Sequence, residues 1–480
     1  MMLKLTSLGG AGTVTGSKHL LEHGSRRLLI DCGLFQGRRD LRVLNWQALP
    51  IRPSSVEAVV LTHAHLDHSG YLPRLVREGF RGPIYATPAT IDVAKLILLD
   101  SAFLQEKDAE FANRHGFSRH EPALPLYTGA DAQLAIEHLR PVPFHEPLEL
   151  GDGGSLMFRR AGHILGAATA ELRLAVETIV FSGDLGRYDD ETMFPPEPVP
   201  EADYLVVEST YGDRLHPKVD PQQMLQEVID RTVRRGGTVV IPAFAVGRTQ
   251  SLLYHLWMLK MRGELASVPI YVDSPMATDA TELLSLHMND HRMQAAAWRD
   301  ASASAIYVQG VEQSKALSAS EMPKVIISAS GMATGGRVLH HIKAYAGDRR
   351  NTILFSGFQA PGTRGQALVD GATQVKIHGQ WVDVRAEVAD LTMLSAHADS
   401  NQIMQWLKQF RSPPRKTFIV HGEPAASKVL LDRIESELDW TCVISKMGDE
   451  QQLESSGSPL GVQKAPPEAR PVGTSRRLKA

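Results

Sequence analysis

The chain has 480 residues, of which 43% are hydrophobic and 22% charged, and its formal net charge is -3. That length exceeds one ordinary core and predicts two or three soluble domains, while the near-neutral charge leaves only a local basic groove for a polyanion. Cys32 and Cys442 are the only cysteines, which excludes a disulfide scaffold and a thiolate-rich zinc site.

The opening residues Met1 to Thr6 lack the charged-then-apolar pattern of a signal peptide. No apolar run approaches the ~20 residues that span a bilayer, so a cytoplasmic chain without a membrane partner is expected. Arg27-Leu28-Leu29-Ile30 is a predicted strand that runs into Asp31-Cys32-Gly33. An acid at a strand end, followed by glycine, suits a residue that orients a ligand histidine. Val56 to Leu61 is a second strand, and it leads into Thr62-His63-Ala64-His65-Leu66-Asp67-His68-Ser69-Gly70. Tyr71 to Arg77 then has apolar residues at helical spacing. On an extended segment His63 and His65 face the same way, while Asp67 and His68 fall at the turn into the helix. Two His-rich half-sites so close together are what a binuclear metal centre requires, and imidazole with carboxylate favours zinc over iron or manganese.

Further along, Gly162-His163-Ile164-Leu165-Gly166 presents one imidazole from a tight loop, and the strand Thr178 to Ser182 ends at Gly183-Asp184. The recurring pattern is strand, then ligand, then glycine, and it predicts several strand ends opening on one edge. The proline-rich stretch 194–200 marks the end of a first domain, residues 1–200. Across 201–370 strands alternate with helices, which predicts a nucleotide-fold-like parallel sheet. Its Gly/Ser loops, with Ser330 and Gly331, present backbone N–H groups for phosphate, and Arg248, Arg337 and Arg364 are candidate guanidinium clamps. Over 371–450 the first pattern returns, with His397 after one strand and His421-Gly422-Glu423 after another. Residues 451–480 have little to bury and are expected to form a disordered tail.

Taken together, His63-Ala64-His65-Leu66-Asp67-His68, His163, Asp184, Ser395-Ala396-His397-Ala398-Asp399 and His421-Gly422-Glu423 resemble the β-CASP branch of the metallo-β-lactamase superfamily. Glu208-Ser209-Thr210-Tyr211-Gly212 matches that branch's motif A, His397 its motif B and His421 its motif C. The resemblance covers about residues 1–450. It implies an αββα sandwich of metallo-β-lactamase type with an inserted β-CASP domain, and an enzyme that hydrolyses single-stranded RNA. By the same resemblance His63, His65 and His163 hold one Zn2+, Asp67, His68 and His421 hold a second, and Asp184 bridges them. Asp67 orients the nucleophile, and His397, held by Glu208, is the general acid. His at motif C accompanies RNA-acting members. The implied activity is endonucleolytic, with exonuclease activity as an accompaniment, and a homodimer is an allowed assembly.

Two enzymatic alternatives remain open: a thioester or lactone hydrolase, and a DNA-directed nuclease. The first shares the His-x-His-x-Asp-His core but has no use for the insertion, Glu208 or His397. A subunit that binds RNA without cutting it is a third reading, discriminated by whether Asp67 and His397 are needed for cleavage.

Overall fold

A computed structural model describes residues 3–454, apart from 117, 119, 120, 175 and 266. Two seven-stranded sheets face each other. The first runs Glu450–Leu453, Leu3–Gly9, Lys18–His23, Arg26–Ile30, Ala58–Val60, Ile84–Ala86, Leu139–Pro141. Its hairpin end is antiparallel, and from Arg26–Ile30 onward the neighbours are parallel. The second sheet runs Cys442–Ile444, Lys416–Val420, Tyr204–Glu208, Glu177–Phe181, Ala168–Leu174, Gly154–Arg160, Leu148–Gly151.

Alternation decides which side chains meet between the sheets. Leu5, Leu21 and Leu28 from the first pack against Phe158, Ile179 and Phe418 from the second. The opposite faces are covered by helices. Val59 and Leu61 lie under Leu72, Leu75 and Val93. On the other sheet Leu205 and Val207 lie under Ile403, Trp406 and Leu430. Helix, sheet, sheet and helix therefore stack as the expected αββα sandwich.

Between residues 209 and 390 the chain builds a third, six-stranded sheet that is parallel throughout. Val239–Pro242 and Val325–Ser328, both buried along their length, form its centre. Helices cover both faces, so these strands read as unbroken apolar runs. Both expected limits of the inserted domain shift: Tyr204–Glu208, just past the proline seam, still belongs to the sandwich, and Glu387–Asp390, beyond the expected limit at 370, still belongs to the third sheet, because it pairs with Thr352–Phe355. The stretch expected as a tail begins differently. Glu450–Leu453 pairs antiparallel with Leu3 to Thr6 and buries Leu453, because the edge of Leu3–Gly9 offers an unpaired backbone. Residues 455–480 lie outside the described residues.

Candidate metal centre

Loops at the ends of sandwich strands converge on one buried cluster. His63 and His65 follow Ala58–Val60, and His63 Nε2 lies 3.2 Å from His65 Nδ1. His163, from the loop after Gly154–Arg160, brings its Nε2 to 3.2 Å from the same His65 nitrogen. Asp184, just after Glu177–Phe181, sets Oδ2 3.6 Å from His63 Nε2 and 3.7 Å from His163 Nε2. A second group forms alongside. Asp67 and His68 sit on the one-turn helix Leu66–Ser69, and His421 follows Lys416–Val420. His68 Nε2 lies 3.2 Å from His421 Nε2, which is 3.5 Å from Asp67 Oδ2. The other oxygen of Asp184, Oδ1, stands 3.3 Å from His68 Nε2. One carboxylate thus divides its two oxygens between two groups of ligands.

These spacings can be tested against zinc. Bonds of about 2.0–2.1 Å at tetrahedral angles put ligand atoms about 3.3–3.4 Å apart. The separations within each group bracket that value. Asp184 Oδ1 is also buried with no hydrogen-bond partner among the described residues, and an orphaned buried carboxylate oxygen calls for a cation. Residue types and spacing both fit.

Neighbours hold the rings in place. Asp31 Oδ2 lies 2.7 Å from His68 Nδ1, and the same carboxylate accepts hydrogen bonds from Thr62 N and Oγ1. Thr62 Oγ1 is 3.2 Å from His63 Nδ1, and Thr210 Oγ1 is 3.1 Å from His421 Nδ1. A Cβ on Gly33 would stand 1.6 Å from the Asp67 carbonyl oxygen. Only glycine lets the turn after Asp31 close onto the Leu66–Ser69 helix. Asp31 and His421 adopt φ of 59° and 47°, a left-handed conformation that costs a non-glycine residue ~1–3 kcal/mol and clusters at functional sites.

Electrostatics separates the rings. Burial pushes His65 down to about 4 and holds His63 and His163 well below the ordinary imidazole range, so all three keep their lone pairs at neutral pH. Burial also opposes charge on His68, but Asp184 and Asp31 outweigh it and raise its pKa. Burial would raise Asp184, yet His421, His68 and His63 hold it well below the carboxylate range.

His397 lies beside the cluster, its ring 4.3 Å from that of His163, centroid to centroid. Its Nδ1 is 3.3 Å from Glu208 Oε1. Glu208 is buried and fixed by donation from Leu185 N to Oε1 and from Thr210 N to Oε2. Burial works against protonating His397, but the Glu208 carboxylate prevails and raises its pKa. An imidazole held against an anchored carboxylate in this way is able to carry and release a proton.

The cluster opens into a cleft between the sandwich and the inserted domain, lined in part by Arg38, Phe244, Arg248, Gly331 and Phe358. Among the candidate phosphate contacts the structure brings Arg248 and Gly331 to this cleft and leaves the others out. Arg337 donates to Asp273 and to the carbonyls of Val308 and Gln309, because a fully buried carboxylate needs a cationic partner. Arg364 donates to the carbonyls of Lys376, Ala333 and Thr334. Ser330 Oγ accepts from Thr334 N and Gly335 N and so closes its own loop. Arg248 has no hydrogen bond to its guanidinium among the described residues, and burial lowers it to about 10. Sequence reasoning passed over Thr62, Thr210 and Phe244. The two threonines adjoin motif residues, which was the available signal.

Comparison with known proteins identifies the domains. The metallo-beta-lactamase superfamily matches residues 12–227, the Beta-Casp domain 249–368, and the Zn-dependent metallo-hydrolase RNA specificity domain 381–445. Ribonuclease TTHA0252 of Thermus thermophilus is 38% identical over 88% of this chain and 93% of its own length. Transcription termination factor FttA of Methanosarcina mazei is 31% identical over 91% of this chain and 69% of its own. A crystal structure of a protein of unknown function from Enterococcus faecalis shares the fold, with a TM-score of 0.55 at 12% identity over 94% of this chain and all of that one.

Proposed function

Because this chain belongs to the β-CASP branch of the metallo-β-lactamase superfamily, we propose that it is a zinc-dependent ribonuclease that hydrolyses phosphodiester bonds of single-stranded RNA. The observation that carries this reading is the pairing of two ligand groups, divided by Asp184, with the Glu208–His397 couple at their side. His63, His65 and His163 would hold one zinc, Asp67, His68 and His421 the other, with Asp184 between them. A bound zinc pair supplies Lewis acidity and nucleophile activation for an in-line displacement. The chain's own residues do the rest. Asp67, partly exposed at the cleft, orients the attacking group. His397, charged through Glu208, donates its proton to the departing ribose oxygen. Arg248 meets a phosphate oxygen along the cleft wall.

Internal cleavage is the mode the cleft supports. Its lining is shared between the sandwich, with Thr13, Arg38 and Ile164, and the inserted domain, with Phe244 and Met276. A strand seated between the two domains is expected to pass the centre, which the RNA products can test. A thioester or lactone hydrolase has no role for so extended a wall. The test is a defined RNA oligomer treated with the zinc-loaded protein, alongside a DNA oligomer of matched sequence. About two zinc per chain, and RNA products ending in 3'-hydroxyl and 5'-phosphate, are expected. Equal cutting of DNA removes the RNA assignment, and 2',3'-cyclic ends remove the displacement by water.

A further inference from the structure

We infer that Phe244 is a stacking platform for the nucleobase next to the phosphodiester bond that is cut. This rests on the ribonuclease reading and adds how the substrate is held. Phe244 follows the central strand Val239–Pro242 of the inserted domain and lies where that domain meets the metal centre. The residue is 37% exposed, and its ring centroid stands 6.0 Å from that of His65. An aromatic ring of that exposure beside a buried metal-ligand set offers apolar aromatic surface to whatever enters the cleft.

The backbone that carries the ring is also anchored. Thr249 donates from both N and Oγ1 to the Phe244 carbonyl, at 3.1 and 2.9 Å. Gly331 presses on it from the adjoining strand end, so that a Cβ there would stand 2.8 Å from Phe244 Cδ2 and 2.9 Å from its N. A side chain on an anchored backbone, with Gly331 close against one edge, has less freedom to lose when a ligand stacks on it, which favours its use in binding.

The rest of the lining points the same way. Of the arginines expected to grip phosphates, only Arg248 reaches the cleft, since Arg337 and Arg364 are engaged inside the inserted domain; Arg38, also in the lining, is paired with Asp40. The lining that Phe244 shares also includes apolar Ile97, Ile164, Val246, Met276 and Met332. A cleft with few free cations and much apolar surface holds a polynucleotide by its bases more than by its backbone. Every base offers a π face, so such a grip is tolerant of sequence.

A double-mutant cycle tests the assignment. The zinc-loaded wild type is compared with Phe244→Ala, Phe244→Leu and Phe244→Tyr on three RNA oligomers. One carries all its bases, and two are abasic at the nucleotide on one or the other side of the cleaved bond. Phe244→Ala and Phe244→Leu are expected to raise KM on intact RNA on the order of ten- to a hundredfold. Phe244→Tyr restores it, and zinc content stays unchanged. On one of the two abasic oligomers the alanine variant is expected to match the wild type. The inference is overturned if alanine costs the same on all three oligomers, if leucine serves as well as phenylalanine, or if the variants lose zinc. A wild-type protein that cuts no RNA at all removes the ribonuclease reading itself, independently of Phe244.

Discussion

Glu208 and His397, 189 residues apart in the chain, face each other with Oε1 3.3 Å from Nδ1. The imidazole approaches the metal-ligand cluster, and the carboxylate is buried behind it, so the pair has one acid to position and one to react. His397→Asn is expected to lower turnover ~10²–10⁴-fold while two zinc remain bound. Glu208→Gln keeps the shape and removes the charge, and a smaller loss of turnover is expected. Steady-state kinetics with metal analysis on the same samples checks both, and a His397 variant of wild-type turnover would remove the proton-donor role.

Asp31 touches no candidate metal position, yet its carboxylate holds His68 Nδ1 at 2.7 Å and accepts from Thr62. Asp31→Ala frees that ring and is expected to weaken zinc binding ~10–100-fold. Competition with a chromophoric chelator measures this directly. Excess zinc should recover much of the lost activity, since the ligands themselves are intact.

Arg248 and Arg337 are expected to behave oppositely. Arg248→Ala should raise KM for RNA, leave zinc in place, and make the salt dependence of binding shallower by about 0.7 in the log–log slope, the value of one phosphate contact on a single strand. Arg337→Ala instead removes a cation from Asp273, a carboxylate with no exposure. Breaking a buried pair costs ~3–5 kcal/mol, and His341 and Ser314, which also contact Asp273, keep the loss toward the lower end. A lowered urea midpoint with KM unchanged is expected. A raised KM with unaltered stability would return Arg337 to the phosphate site.

Lys18 carries the pH prediction. It is buried with its ammonium directed at the carbonyl of Gly33 and over the rings of Phe35 and Tyr71, and burial pushes its pKa down from 10.5 to about 8. Between pH 8 and 10.5 the unfolded chain therefore binds more protons than the folded one, and the contribution of Lys18 to stability rises with pH across that window. Below pH 8 both states are charged and the penalty is full. Urea midpoints at about pH 7.5 and about pH 9.5 should show Lys18→Met gaining on the wild type most at the lower pH. A difference independent of pH would mean that the Lys18 ammonium keeps its ordinary pKa of 10.5 in the folded chain.

Much of the centre was legible along the chain, because metal ligands come from few residue types and strand ends are marked by apolar runs closing on glycine. His63, His65, Asp67 and His68 lie within six positions, and His163, Asp184 and His421 each follow a strand. The parallel sheet of the inserted domain was legible for the same reason, as buried strands alternating with helices. The edge strand Glu450–Leu453 was not, since its residues are mostly polar and only the open backbone of Leu3–Gly9 recruits them.

What the linear order of residues determined by itself was chemical type: which imidazoles and carboxylates exist, and at which strand ends they occur. What only the folded chain decided was where long side chains point. Arg248 and Arg337 each stand at a strand-to-helix junction and look alike in sequence, but one faces the cleft and the other is drawn to Asp273. A short ligand follows its backbone, whereas a guanidinium on a flexible stem goes to the nearest unmet charge or carbonyl, and those lie far off in sequence.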